Sequence, residues 1–340
     1  MGGNNKIAGD WLFIFPVNNL DLTDSIGHEF KIGNVTFITA EKFYRAKSKF
    51  GVKLKKENLT SNYLTKEIIE KEKCILAVIR QNGFLDEARS LAEKEVKDKL
   101  FILIASQLSY VSKSSQSRPD LSHNHFYSTQ HVTIKLNGEN RFGGGFKSEG
   151  TLFPLRLDSD WVRYHRSFYF LKAIKLFGKC SKDMNDWEKT LYRSFIFAGK
   201  SIAENDIGQA FIYRMTALEC ILTSGGKNHK ESLIDTFRAL IGWHEYWEDS
   251  KLSSKIESLY RDRNQYIHDG NSESITLEHL KITEMLLHNL YNNIFSNLKY
   301  FNSKASLKEL IEIQNAIERL NLHSDKFKYL PKGLKFTRKI

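Results

Sequence analysis

Leu252-Ser253-Ser254-Lys255-Ile256-Glu257-Ser258-Leu259-Tyr260-Arg261-Asp262-Arg263-Asn264-Gln265-Tyr266-Ile267-His268-Asp269-Gly270 is the stretch on which the reading of this 340-residue chain turns. Leu252, Ile256, Leu259 and Ile267 recur at helical spacing and predict a buried stripe. Arg263 falls on that stripe, four residues after Leu259 and four before Ile267. An arginine keeps its charge, so an apolar setting demands a carboxylate or another anion to meet it. Arg261, Asn264 and His268 stand at i, i+3 and i+7 and share a neighbouring face. Arg263 and His268 leave a regular helix about 140° apart. For both to touch one phosphate, the helix must end or distort near His268, or a second chain must complete the site. Asp269-Gly270-Asn271-Ser272 predicts a helix stop there. The helix dipole at that end favours a protonated His268, which suits acid–base work near neutral pH.

Further helices are predicted on both sides of this stretch, near 161–177, 184–202, 206–223, 230–246 and 275–300. Turn signals thin out beyond about Asp158, so the second half reads as all-α. The helix around Phe211–Leu222 is apolar over most of its circumference and carries Glu219. A carboxylate in such a helix needs a partner, and Arg263, Arg261 and Arg214 are the candidates. A buried ion pair tying helices together and a catalytic role are equally open to it.

Arg263-Asn264-Gln265-Tyr266-Ile267-His268-Asp269-Gly270 resembles the Arg-x4–6-His motif of the HEPN superfamily, including the polar residue directly after the arginine. Tyr213-Arg214-Met215-Thr216-Ala217-Leu218-Glu219 is similar to the Ala-Leu-Glu helix of the ApeA-like HEPN branch, and the spacing between the two segments matches. The resemblance covers roughly residues 160–300. It implies a helical bundle that dimerises so that two motifs face one cleft, and that cleaves RNA without metal or other cofactor. In that scheme His268 moves the proton as the ribose 2′-hydroxyl attacks the adjacent phosphate. Arg263 stabilises the charge on the phosphorane oxygens. Asn264 orients His268 or the phosphate. Glu219, Arg261, Tyr266 and Asp269 are the supporting residues. The products carry 2′,3′-cyclic phosphate and 5′-hydroxyl ends. By analogy the role is that of an antiviral-defence or toxin effector, with a regulatory partner or a phage-derived trigger. The competing expectation is a non-catalytic HEPN-type module that binds RNA or a protein.

The first part reads as mixed α and β. Trp11–Phe15 predicts a strand ended by Pro16, and Gly33-Asn34 between Phe30–Ile32 and Val35–Ile38 predicts a hairpin. Cys74–Ile79 fits a strand or a buried helix. Leu85 to about Leu108 has helical spacing, with Leu91 among its apolar positions, and Val132–Leu136 alternates as a strand. The fold expected is therefore an α+β N-terminal domain (1–158, sensory, regulatory or RNA-binding), then an all-α HEPN-type helical bundle (159–302), then a helix and a basic tail (303–340).

Composition narrows the classes. The chain is 41% hydrophobic and 27% charged, which fits a folded globular protein and excludes a mainly disordered one. Lys plus Arg is 51 against 40 Asp plus Glu, and a net charge of +11 favours a polyanionic partner such as RNA, tRNA included. Lys326, Lys328, Lys332 and Lys335 near the end, with Phe327, Tyr329 and Phe336 among them, are candidate RNA contacts. Lys42, Arg45, Lys47, Lys49, Lys53, Lys55 and Lys56, with Phe43, Tyr44 and Phe50, form a second such cluster. A solvated basic face is the plainer reading of each.

Three widely spaced cysteines exclude a disulfide scaffold and a four-cysteine zinc site; Cys74 and Cys220 read as core thiols, and Cys180 is undetermined. Gly143-Gly144-Gly145 lacks the P-loop spacing, and His123 with His125 could hold a metal only with a third ligand from elsewhere, which no His-Glu-x-x-His motif or Cys-pair spacing supports. No apolar run reaches spanning length and no leader pattern opens the sequence, so no membrane partner and a cytoplasmic location are expected.

Overall fold

The computed structural model describes residues 8–53, 74–108, 116–121, 132–135, 154–179, 183–223, 233–237 and 249–320. The chain divides into two compact units. One comprises Met1–Ile104 with Ser114–Tyr164, the other Ala105–Lys113 with His165–Ile340.

The first unit is built on a five-stranded antiparallel sheet of order β3-β4-β5-β1-β6. Its strands are β1 (Ala8–Val17), β3 (Glu29–Ile32), β4 (Val35–Thr39), β5 (Ile75–Phe84) and β6 (Val132–Lys135). β2 (Leu20–Leu22) and β7 (Leu155–Leu157) pair in parallel as a separate ribbon. Gly33, at φ 63°, takes the first turn position between β3 and β4, and Ile32 pairs with Val35 across the two-residue turn. β5 settles the ambiguity at Cys74–Ile79: Ile75 to Ile79 are buried and pair with Val17 to Phe13. Strand β1 does not stop at Pro16, which pairs with Leu76. Among the described residues β6 pairs only with Trp11–Ile14, so Pro16 lies where β1 is an edge on that side. A missing N–H is tolerated in that setting.

α1 (Ala40–Ala46) and α2 (Leu85–Ala105) are the α-helices described in this unit, with α3 (Ser159–Arg166) at its boundary. Ala88, Ala92, Val96, Leu100 and Leu103 form the buried side of α2, whereas Leu91 is exposed. Leu91 follows its stripe by three residues from Ala88 but falls on the water side of it.

The second unit is helical: α4 (Phe170–Phe177), α5 (Asp186–Ala203), α6 (Ile207–Leu222), α7 (Asp249–Asp269), α8 (Leu277–Ser296) and α9 (Lys304–Arg319). The single helix expected over 161–177 is two, α3 and α4, separated by Ser167, Phe168 and Tyr169. Of the helix expected over 230–246, only 233–237 is described, and it is helical. Local chemistry starts these helices. Asn185 and Glu188 form a reciprocal capping box at α5, and Asp206 caps α6 by accepting from the Gln209 N–H. The core is aromatic. Phe195 and Tyr291 meet at a tilt with centroids 4.2 Å apart, and Phe177 and Phe295 meet Phe195 edge-on. The Tyr291 hydroxyl lies 2.7 Å from Ser194 Oγ, which donates to the Ala217 carbonyl and joins α5, α6 and α8.

No helix among the described residues is long and apolar enough to cross a membrane.

Candidate active site

α7 carries the Arg263–His268 segment and runs unbroken to Asp269. Gly270 then adopts φ 69° and its N–H donates to the Tyr266 carbonyl at 2.9 Å, a glycine stop just past the last turn. The helix therefore ends beyond His268 and not before it.

The stripe that α7 buries differs from the expected one. Ile256 and Leu259 are buried, but Ile267 is 46% exposed. Asp262, three residues beyond Leu259, is buried instead. Arg263 borders the stripe and is half-buried. The reason is angular: positions three and four beyond Leu259 lie on either side of its axis, and the neighbouring helices take the Asp262 side. His279 Nε2 stands 3.0 Å from Asp262 Oδ2. The Thr276 N–H donates to His279 Nδ1, so that nitrogen is the acceptor and Nε2–H points to Asp262. Ser258 Oγ and Arg261 Nε also donate to Asp262. His279 occupies the capping-box position of α8, tying the α7 stripe to the α8 N-terminus.

Arg263 meets Glu219. Its Nη2 donates to Glu219 Oε2 at 3.1 Å across α6 and α7, and its Nη1 donates to Asn264 Oδ1 at 3.0 Å. The guanidinium carbon lies 5.9 Å from the centre of the Tyr260 ring. Of the three arginines open to Glu219, the other two bond elsewhere. Arg261 is mostly exposed and donates to Asp262 and Ser258. Arg214 is fully buried and donates to Ser201 Oγ, the Leu280 carbonyl and Glu284. Burial pulls the Arg214 pKa down, and Glu284 opposes that pull.

His268 and Asp269 are exposed in the last turn of α7. Among the described residues His268 makes no hydrogen bond or ion pair, and Asn264, half-buried, contacts Arg263. The shared face of Arg261, Asn264 and His268 is thus not a connected network in one chain. Arg263 and His268 leave the regular helix about 140° apart, so a single α7 does not converge them.

Tyr266 anchors this end of α7. A Cβ on buried Gly208 of α6 would lie 2.6 Å from Tyr266 Cε2, so only glycine admits the ring there. Burial and a hydrogen bond with Asp206 raise the Tyr266 hydroxyl pKa and keep it a donor.

Two sequence signals pointed elsewhere. In the cluster around Lys42, Phe43 is fully buried and offers no face for stacking, and Tyr44 and Phe50 are half-buried against the core of the first unit. Cys74 and Cys220 are half-buried, not fully enclosed, and burial pushes the Cys220 thiol up. Lys55, Lys56, Lys326, Lys328, Lys332, Lys335, Cys180, His123, His125 and Gly143–Gly145 lie outside the described residues. No group of three His, Cys, Asp or Glu side chains placed to hold a metal ion is present among the described residues. Asp262 and His279 are the members of the site that periodicity missed. A check of the i+3 position after Leu259 would have found Asp262.

No protein-family model, no curated protein and no solved structure matches this chain.

Proposed function

We propose that the chain is an endoribonuclease of HEPN type that works as a homodimer. One observation carries the reading: Glu219 and Asn264 hold the Arg263 guanidinium at a partly open edge of α7, little more than one turn before an exposed His268. The Glu219 pair supports a positioning role for the carboxylate, because a preoriented arginine loses little freedom when a phosphate arrives. Two copies of α7 facing one cleft supply an arginine from one chain and a histidine from the other, which answers the 140° divergence.

In this mechanism His268 takes the proton of a ribose 2′-hydroxyl, and the 2′-oxygen attacks the adjacent phosphorus. The phosphorus–5′-oxygen bond breaks, and the proton goes to the leaving 5′-oxygen. The products are a 2′,3′-cyclic phosphate and a 5′-hydroxyl. Arg263 neutralises the charge on the equatorial oxygens. The chemistry asks for no cofactor. RNA, with tRNA as one candidate, is the substrate, and the net charge of +11 supports a polyanion. Defence or toxin action, a regulatory partner or phage-derived trigger, and a cytoplasmic site belong to the same proposal.

The ion pair also favours a second reading. An Arg263 committed to Glu219 suits a non-catalytic HEPN-type module that binds RNA or a protein and keeps the pair for stability. RNA cleavage in EDTA, with analysis of product ends, separates the two. We expect the wild type to leave cyclic phosphate ends, and Arg263→Ala/His268→Ala to cut at least 100-fold more slowly. Equal cutting by both proteins removes this pair from the chemistry. Intact RNA with salt-dependent binding selects the binding module.

A further inference from the structure

The first unit carries two adjoining grooves of opposite charge. Thr39 caps α1 by accepting from the Lys42 N–H, and Phe43 fixes the helix by burying its ring. Lys42, Arg45 and Lys49 then follow at spacings of three and four along α1 and the 3-10 turn at 47–50, so they share one outward stripe. They line a groove of about 550 Å³ together with Ser48 and with His28, Thr39 and Glu41. His28, Thr39 and Glu41 also line the neighbouring groove of about 780 Å³. There the charged side chains are Asp21, Asp24, Asp158 and Arg156, besides Glu41. One lining holds three cations against one carboxylate, and the next holds four carboxylates against one arginine.

Both volumes fall in the range of small-ligand sites, roughly 300–1,000 Å³. Lysine and arginine suit phosphate, the arginine bidentately. Carboxylates accept from vicinal ribose hydroxyls or exocyclic amines, the way an acidic residue reads a ribose elsewhere. A ligand bridging the shared rim therefore needs an anionic end and a donor-rich end. A long RNA strand does not fit this pattern, because its phosphates would run on into the carboxylates.

We infer that these grooves form one bipolar site for a nucleoside phosphate, with the phosphate on Lys42, Arg45 and Lys49 and the ribose and base donors on Asp21 and Asp24. The inference does not depend on RNA cleavage. Lys42 also bonds the Gly27 carbonyl and Glu29, which makes it part of the local frame. Arg45 is 78% exposed and pairs with Glu41 on its own helix, as Asp21 pairs with Arg156 and Asp24 with His28; these are surface pairs that a ligand can exchange.

The test is calorimetric titration of the full chain with AMP, GMP, CMP and UMP, alongside inorganic phosphate, adenosine and a ten-nucleotide single-stranded RNA. At least one nucleotide is expected to bind at least ten-fold more tightly than phosphate or adenosine. Arg45→Gln/Lys49→Gln is expected to weaken it ten-fold or more, and Asp21→Asn about three-fold. Lys189→Gln/Lys308→Gln, which lowers the net charge equally from positions on α5 and α9 of the second unit, is expected to leave it unchanged. Unchanged melting temperatures establish that the variants are folded. Four results overturn the assignment: no nucleotide binding below millimolar, binding no better than phosphate alone, binding of the RNA only, or equal losses in the two double variants.

Discussion

Two arginines of the second unit face carboxylates across helix pairs, with opposite consequences. Arg214 joins α6 to α8 and is fully enclosed, its guanidinium shared among Ser201, the Leu280 carbonyl and Glu284. Arg263 joins α7 to α6 through Glu219, but 23% of its side chain remains open to water. The histidines repeat the contrast. His165 is buried beside Phe170, and His268 is exposed at the end of α7. An enclosed charge pair cannot exchange its partner without unfolding, whereas an open one can trade a carboxylate for a phosphate at little expense. Residue type alone therefore does not separate the two arginines; access to water does.

The largest effect expected from this contrast is on Arg214. Arg214→Ala leaves Glu284 and the Leu280 carbonyl without this donor in the core and should lower unfolding stability by about 3–5 kcal/mol. Chemical denaturation measures it, and a loss below about 1 kcal/mol would erase the distinction between the two pairs.

The next effect is on pH. Burial, followed by the charge of His288, lowers the pKa of His165 from 6.5 to about 3. Below pH 6.5 the unfolded chain takes up a proton that the native chain refuses, so stability falls as the pH drops toward 3. Between pH 6.5 and pH 5 the loss from this group should be about 2 kcal/mol. A melting series on wild type and His165→Phe should show the acid slope flattened in the variant. Parallel slopes would mean that His165 is not sealed.

The smallest effect is the sharpest. Arg263→Ala should change stability by about 1 kcal/mol, because both side chains of the pair still reach water and are screened by it. Circular-dichroism melting reads it directly. A loss as large as that of Arg214→Ala would make Arg263 a structural residue and favour the binding-module reading.

Much of the fold was legible in the sequence. The Gly33-Asn34 hairpin, the strand at Val132, the run of helices after Asp158 and the stop at Gly270 all follow from local signals. Each depends on a residue and its near neighbours: a glycine at positive φ, a period of two or 3.6, a capping side chain. Pro16 misled because tolerance of proline depends on what lies beside the strand, and that neighbour is distant in sequence. Phe43 and Phe50 misled because an aromatic residue among lysines reads the same whether its ring faces water or the core.

The layout of the candidate segment along its helix was legible in the sequence; its wiring to the neighbouring helices was not. Sequence spacing alone determined that Arg263, Asn264 and His268 share one helix, that this helix stops at Gly270, and that Arg263 and His268 diverge on it. Tertiary structure decided that Asp262 is buried in place of Ile267, that Glu219 chooses Arg263 over Arg214 and Arg261, and that His279 closes the α7–α8 contact. The physical reason is that a helix's own geometry sets relative angles between its side chains. Which of those angles turns inward is set by the neighbouring helices, whose positions no local pattern encodes.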